Sequence, residues 1–403
     1  MLNIENINKN NFFEKAVLVV GILYLYFISR RGGDTRYIFS LILMGITLIQ
    51  SFKTGFEKYF FYKKEIIFSV IYLFFICFSF YFAGEKNDKL NDFLNMTVYT
   101  IIFMCICLNF KIKDKYYKYF IPLVMLFSLE SIFRGLKEIY KNYEILSWYR
   151  IGGGNYTTVY AGELSLYVLI GVIAFLYYKE IYKKLLCLMY IGVNIFLIVF
   201  AQSRAAMFGI PLALIVLFFI LDRKKGIISF ILILFLGVFL FKAFPESKPI
   251  KRLSTLTSIE KIKGTTRMPI YILGIKDGKE NILKGVGFYK YKNERFYVKE
   301  TGERPPHYHN IFIETFATQG IFALISYVVF LSIIFIRLIK NYFLEDERDR
   351  KYIKLLGIAI FIFGIVYGLG EPVFYLRKMN QLIFTIITMA FIVDKTYSGK
   401  ENE

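Results

Sequence analysis

About twelve apolar runs, spread from one end of the chain to the other, constrain it more than any other feature. A helix needs roughly 20 mostly apolar residues to cross a bilayer, and its backbone must be satisfied internally there. Runs near that length occur at 13–29, 37–52, 66–83, 93–110, 119–136, 160–178, 184–202, 205–221, 226–243, 310–337, 354–370 and 378–394. The expected fold class is an all-α membrane protein of about twelve transmembrane helices, one polytopic domain over 1–403. Composition agrees, since 56% of residues are hydrophobic and mean hydropathy is +0.50, against the roughly 45–50% apolar share of soluble domains. Met1 to Lys15 is polar and no small-residue cleavage site follows the first run, so no cleaved signal peptide is expected.

A net charge of +20 would suit nucleic acid. The basic residues fall instead in short clusters between apolar runs, as membrane topology and anionic lipid headgroups require, and no nucleic-acid-binding module is visible. Membrane lipids, not nucleic acid, are the expected surroundings. With the N-terminus inside, the basic loops around Lys53–Lys64, Lys111–Lys118, Lys179–Lys184, Arg223–Lys225 and Arg337–Lys354 are all cytoplasmic. One loop breaks the rule: Arg30, Arg31 and Arg36 fall outside. Two long segments also fall outside, 137–159 and a large loop over 243–309. Cys77, Cys105, Cys107 and Cys187 lie in apolar runs and read as small hydrophobes, not as a disulfide or metal set.

Polar residues with chemistry gather on the outer side. Gln202-Ser203-Arg204 is a minimal break between two spans. An arginine there faces a cavity or partner, or else snorkels to headgroups. Its fork suits a phosphate. Arg267 falls near the start of a short amphipathic helix expected over Thr266 to Lys276, capped by Thr265 or Thr266 and ended by Asp277-Gly278. That position suits an anion, though a solvated basic residue is the plainer reading. Arg150-Ile151-Gly152-Gly153-Gly154-Asn155 is either a flexible turn or an anion-binding backbone nest.

The two histidines of the chain, His307 and His309, sit at the end of the large loop. Neutral imidazole near pH 7 suits a general base, while a structural histidine and a His-x-His metal pair are the alternatives. Glu303 is the only close carboxylate on the loop side, so no ligand set is expected to be completed. Asn310 caps the next helix or orients a substrate, and Glu314 follows one turn on. Carboxylates are scarce outside, which argues for a site that neutralises phosphate with arginine and not with a divalent ion.

In order along the chain, Arg150 with Gly152 and Asn155, Ser203-Arg204-Ala205-Ala206, Arg267, Gly285-Val286-Gly287, and His309-Asn310 followed by Ile311, Phe312 and Gly320-Ile321 form a pattern. That pattern resembles the O-antigen ligase family of polytopic membrane proteins, over roughly 145–340. One departure is Gly-Asn-Tyr-Thr-Thr from Gly154, where the family often has a Pro-Asn pair.

The resemblance implies a fold similar to the C-type glycosyltransferases. It also implies transfer of a glycan from undecaprenyl diphosphate to a sugar hydroxyl of lipid A–core, inverting and metal-independent. The site would lie on the periplasmic side of the bacterial inner membrane. It implies catalytic roles for His309, Arg204 and Arg267 and no cofactor. Arg150, Asn155, Ser203, Gly285, Gly287, His307, Asn310 and Glu314 are the expected substrate-binding set. A polymerase taking a second lipid-linked glycan as acceptor is the near alternative. A lipid or solute transporter is the alternative of another class, disfavoured because no internal repeat is visible and the polar residues gather at one membrane face.

Overall fold

A computed structural model of the chain describes residues 2–30, 35–82, 90–145, 149–243, 251, 267–287, 307–373 and 376–395. Several expectations lie outside the described residues: Arg31 in the first loop, the Thr265/Thr266 cap, Glu303, and the rest of the large loop within 244–250, 252–266 and 288–306.

Every described element is helical. The chain opens with α1 (Leu2–Ser29), α2 (Thr35–Thr54) and α3 (Lys63–Phe82). Then comes α4 over 90–107, which carries a π-helical stretch at Thr97–Ile102. α5 (Phe120–Lys141), α6 (Thr157–Tyr177), α7 (Ile181–Ala201), α8 (Arg204–Leu221) and α9 (Arg223–Ala243) follow. Within the large loop lies α10 (Arg267–Glu280), and after the loop come α11 (Ile311–Gln319), α12 (Ile321–Phe343), α13 (Arg348–Gly368) and α14 (Arg377–Ile392).

Eight helices among the described residues are long and apolar enough to cross a membrane, against the twelve or so expected. Two of the remaining apolar runs lie in shorter apolar stretches, Lys15–Ser29 within α1 and Phe93–Cys107 within α4, and α14 has 16 residues. The spans divide by burial. Within α6 and α13, 78% of the apolar window is buried; in the other six the share is 28–39%. The first two are therefore the centre of the bundle. The outer helices present Ile67, Phe74, Met189, Phe196 and Phe235 outward, the surface a protein offers to lipid tails.

The run 310–337 is not one helix. It breaks at Gly320, whose φ is +87°, into α11 and α12. A Cβ there would meet the Leu283 carbonyl oxygen at 2.5 Å, and Ile321 N donates to Ile282 O. The turn 281–285 is thus pressed into the break, at a position that favours glycine. Ser79 on α3 ties this junction to the bundle by donating to Lys284 O and Thr318 O.

The short loop helix also differs from its expected length. Asp277-Gly278 lies inside α10 and does not end it. The side chains explain this: buried Asp277 accepts from the Tyr308 hydroxyl, so it is unavailable to start a turn. Gly274 and Gly278, one helical turn apart, let α10 press on α11; a Cβ at these positions would meet Ile313 at 2.5 Å and Phe316 at 2.4 Å. Ile270, Val286, Tyr308 and Ala317 form a small core for this pair, separate from that of the bundle.

Three of the basic loops that the charge rule grouped together, 53–64, 111–118 and 337–354, meet at one end of the bundle. There Lys354 is 0% exposed and bonds Glu345 Oε2 at 2.7 Å, Asp394 Oδ1 at 2.9 Å and Asn341 O at 3.2 Å. Tyr62 donates to Asp394, and Arg350 pairs with Glu345 at 3.1 Å and Asp114 at 3.3 Å.

Candidate active site

The other end of the bundle holds the residues singled out from sequence. α7 ends at Ala201, and Gln202 turns left-handed at φ +51°. Ser203 then caps α8, its hydroxyl accepting from Ala206 N at 3.5 Å. Arg204 is thus the first residue of a helix, where the backbone dipole already favours an anion. Arg204, Ala205 and Phe208 line a cavity of about 270 Å3 together with Arg267, Met268 and Tyr271 of α10 and Leu369 and Gly370 after α13. Two arginines 63 positions apart in the chain therefore share one cavity.

Beside the cavity stands Glu371, 1% exposed. Its Oε1 accepts from Arg267 Nη2 at 2.5 Å. Its Oε2 lies 3.2 Å from His309 Nδ1 and 3.8 Å from His307 Nε2. The two imidazoles meet edge to face, with centroids 4.2 Å apart. His309 has φ +54°, a conformation that non-glycine residues rarely adopt and that commonly marks a functional constraint. Here it aims the ring at Glu371 while the next residue starts α11. Asn310 does that, its Oδ1 accepting from Phe312 N at 2.9 Å and Ile313 N at 3.1 Å, while its amide donates to Leu369 O.

Tyr271 links these parts, its hydroxyl donating to His309 O at 3.4 Å and reaching Leu369 O at 3.5 Å. Burial pushes this phenol up, against the pull of Arg267 and Arg204, so it keeps its proton to donate. Glu314, 2% exposed, accepts from Tyr308 N at 2.6 Å and so fixes the backbone between the two histidines.

The remaining expected residues stand as follows. Arg150 donates from Nε to Ala201 O at 3.1 Å, bracing the end of α7 just before Arg204. Gly152 and Gly153 donate to the Glu138 carboxylate, and Asn155 N closes the turn onto Gly152 O. The nest that these amides form is filled by the protein's own carboxylate. Gly285 and Gly287 both have positive φ, and the strand-like stretch they bound donates from Val286 N to Ala317 O and from Gly287 N to Thr318 O. A Cβ on Gly285 would meet the Thr318 backbone at 2.3 Å. These glycines serve the junction of α10 and α11.

Residues 189–328 match the model of a family described as O-antigen ligase. That stretch is an O-antigen ligase domain. It spans Ser203, Arg204, Arg267, Gly285, Gly287, His307, His309, Asn310 and Glu314, and the resemblance read from the motifs is to this same family. The match covers about a third of the chain, and eight helices among the described residues are long and apolar enough to cross a membrane. No curated protein matches the chain.

Glu371 lies beyond the O-antigen ligase domain as matched and was missed by sequence reasoning. The expectation that no carboxylate would join the histidines is corrected by it: His307, His309 and Glu371 each place a ligating atom within 4.8 Å of the others. The signal was present in Gly370-Glu371-Pro372, an acid in a short loop on the same side as Arg204. Nothing in spacing ties it to residues 62 positions earlier.

Proposed function

We propose that this protein transfers a glycan from a polyprenyl diphosphate, undecaprenyl diphosphate in bacteria, to a sugar hydroxyl of a second lipid-anchored acceptor, with inversion at the anomeric carbon. The supporting observation is the cavity shared by Arg204 and Arg267, with the His309–Glu371 pair at its side. The acceptor hydroxyl attacks the anomeric carbon opposite the diphosphate. As the new C–O bond forms, the bond to the diphosphate breaks and its electron pair goes to the phosphate oxygen. Arg204 and Arg267 meet that growing charge in a site of low dielectric, where fixed cations act strongly. His309 Nε2 takes the hydroxyl proton. Glu371 holds the Nδ1–H and steadies the imidazolium that results, as a carboxylate does for a catalytic histidine. The positive charge comes from arginine, so the transfer needs no metal.

The apolar side of the cavity, with Phe208 and Val366, suits lateral access by a prenyl chain. Both substrates are lipid-anchored, so a site at the end of the bundle serves both. Lipid A–core as acceptor makes the protein a ligase of the inner membrane with a periplasmic site. A second lipid-linked glycan makes it a polymerase. A deletion strain separates them: loss of a ligase leaves lipid A–core bare while lipid-linked polymer persists, and loss of a polymerase leaves single repeats attached. Transfer that is undiminished in His309→Ala would overturn the assignment of the base.

A further inference from the structure

The transfer chemistry uses one imidazole, yet the structure places two on the same carboxylate oxygen. We propose that His307, His309 and Glu371 form a labile site for a divalent transition-metal ion of the zinc type, and that its occupation switches the base off. Ligand atoms around a tetrahedral zinc, each about 2.0–2.1 Å from the ion, stand about 3.4 Å apart. Here His309 Nδ1 and His307 Nε2 stand 3.2 Å and 3.8 Å from Glu371 Oε2. All three ligand atoms lie within 4.8 Å of one another, so an ion can replace the Nδ1 proton at the centre of the group with small side-chain adjustments.

Two neutral imidazoles and a single carboxylate are donors for a borderline ion. Magnesium and calcium require more oxygen. Glu371 keeps its other oxygen on Arg267, an outer contact that orients the carboxylate. The same guanidinium repels a cation, which makes the ion exchangeable and not structural.

The consequence for catalysis follows from the tautomer and rests on the proposed transfer; the binding itself does not. With Nδ1–H donated to Glu371, Nε2 is free to accept a proton. A metal on Nδ1 displaces that hydrogen, and the neutral ring then carries its proton on Nε2. His309 is no longer a base, while Arg204 is untouched.

The test uses the full chain, free of any histidine tag, in detergent micelles. Its own histidines are then just these two. Zinc is titrated against a chromophoric chelator in the presence of excess magnesium. One zinc per chain is expected, weakened at least about 100-fold in His307→Ala and in Glu371→Gln, since even an outer partner is worth 10–100-fold. His307→Cys keeps a zinc ligand in place and is expected to bind, which separates a lost ligand from a misfolded chain. Absence of zinc binding by the wild type, equal binding by all variants, or no binding by His307→Cys overturns the site. Zinc is then expected to suppress transfer, with recovery on chelation; one zinc per chain with full transfer overturns the switch. Zinc binding by a chain that shows no transfer at all counts against the transferase reading and leaves the site standing.

Discussion

The two ends of this bundle handle charge in opposite ways. At the end where the basic loops gather, Lys354 is met by Glu345 and Asp394, Arg350 by Glu345 and Asp114, and Arg337 by Glu65. Each of these three cations meets at least one carboxylate, and the pairs join α3, α12, α13 and the end of α14. At the other end a single carboxylate, Glu371, serves Arg267 and both histidines, with Arg204 close by on the same cavity. Matched charge buried in a low dielectric fixes helices to one another. Charge left in excess of one sign is a field waiting for an anionic substrate. The difference separates scaffold from site without reference to sequence motifs.

Substitutions at the two ends should therefore fail differently. The largest effect is expected from His309→Ala, which should lower transfer roughly 100- to 10,000-fold, the usual worth of a positioned base, with unfolding temperature little changed. Asp394→Asn should do the reverse. It strips a partner from fully buried Lys354 and should cost about 3 kcal/mol, seen as a lower melting temperature, while turnover per folded molecule stays normal. Arg204→Lys and Arg267→Lys keep the charge and lose the fork; transfer should fall about 100-fold or more, with stability again spared.

Acid offers a milder probe of the scaffold end. Burial alone would raise the Glu345 carboxyl, but bonds from Arg350 and Lys354 outweigh it and hold it below the usual range. Its stabilising contribution is thus complete above the ordinary carboxylate value of about 4.3 and disappears as pH falls through the lower folded value. Melting temperature should be flat above about pH 5 and drop below it, less steeply in Glu345→Gln. Smallest of all should be Lys395→Gln. Its pair with Asp114 is about half exposed on both sides, so the cost should stay below about 1 kcal/mol. A large loss there would blur the contrast between the ends.

The residues of the candidate site were legible in part. Arg204 stood out because an arginine between two spans on the outer side violates charge sorting, and His309 because the chain has so few imidazoles. Arg267 was one basic residue among many in its loop. Its expected place near a helix start and the family resemblance set it apart, and the fold adds its contact with Glu371. Glu371 was hidden because carboxylates are judged by their neighbours, and its neighbours come from residues 267, 307 and 309. Hydropathy gave the apolar runs but not the break at Gly320. A window average does not register one glycine pressed against a carbonyl. Eight spans are seen among the described residues where about twelve were expected, and the run 378–394 yields a helix of 16 residues.

Arg267 and His309 belong to the α10–α11 pair, whose glycines at 274 and 278 lock its two helices face to face. Glu371 belongs to the loop between α13 and α14. The carboxylate is thus a clasp across a seam between two bodies of structure. In the proposed transfer, a diphosphate that claims Arg267 would draw it from Glu371, the carboxylate that also meets His309 Nδ1. On that proposal, donor binding and the proton position on His309 would be coupled through one side chain, and the coupling would be reciprocal as a binding free energy.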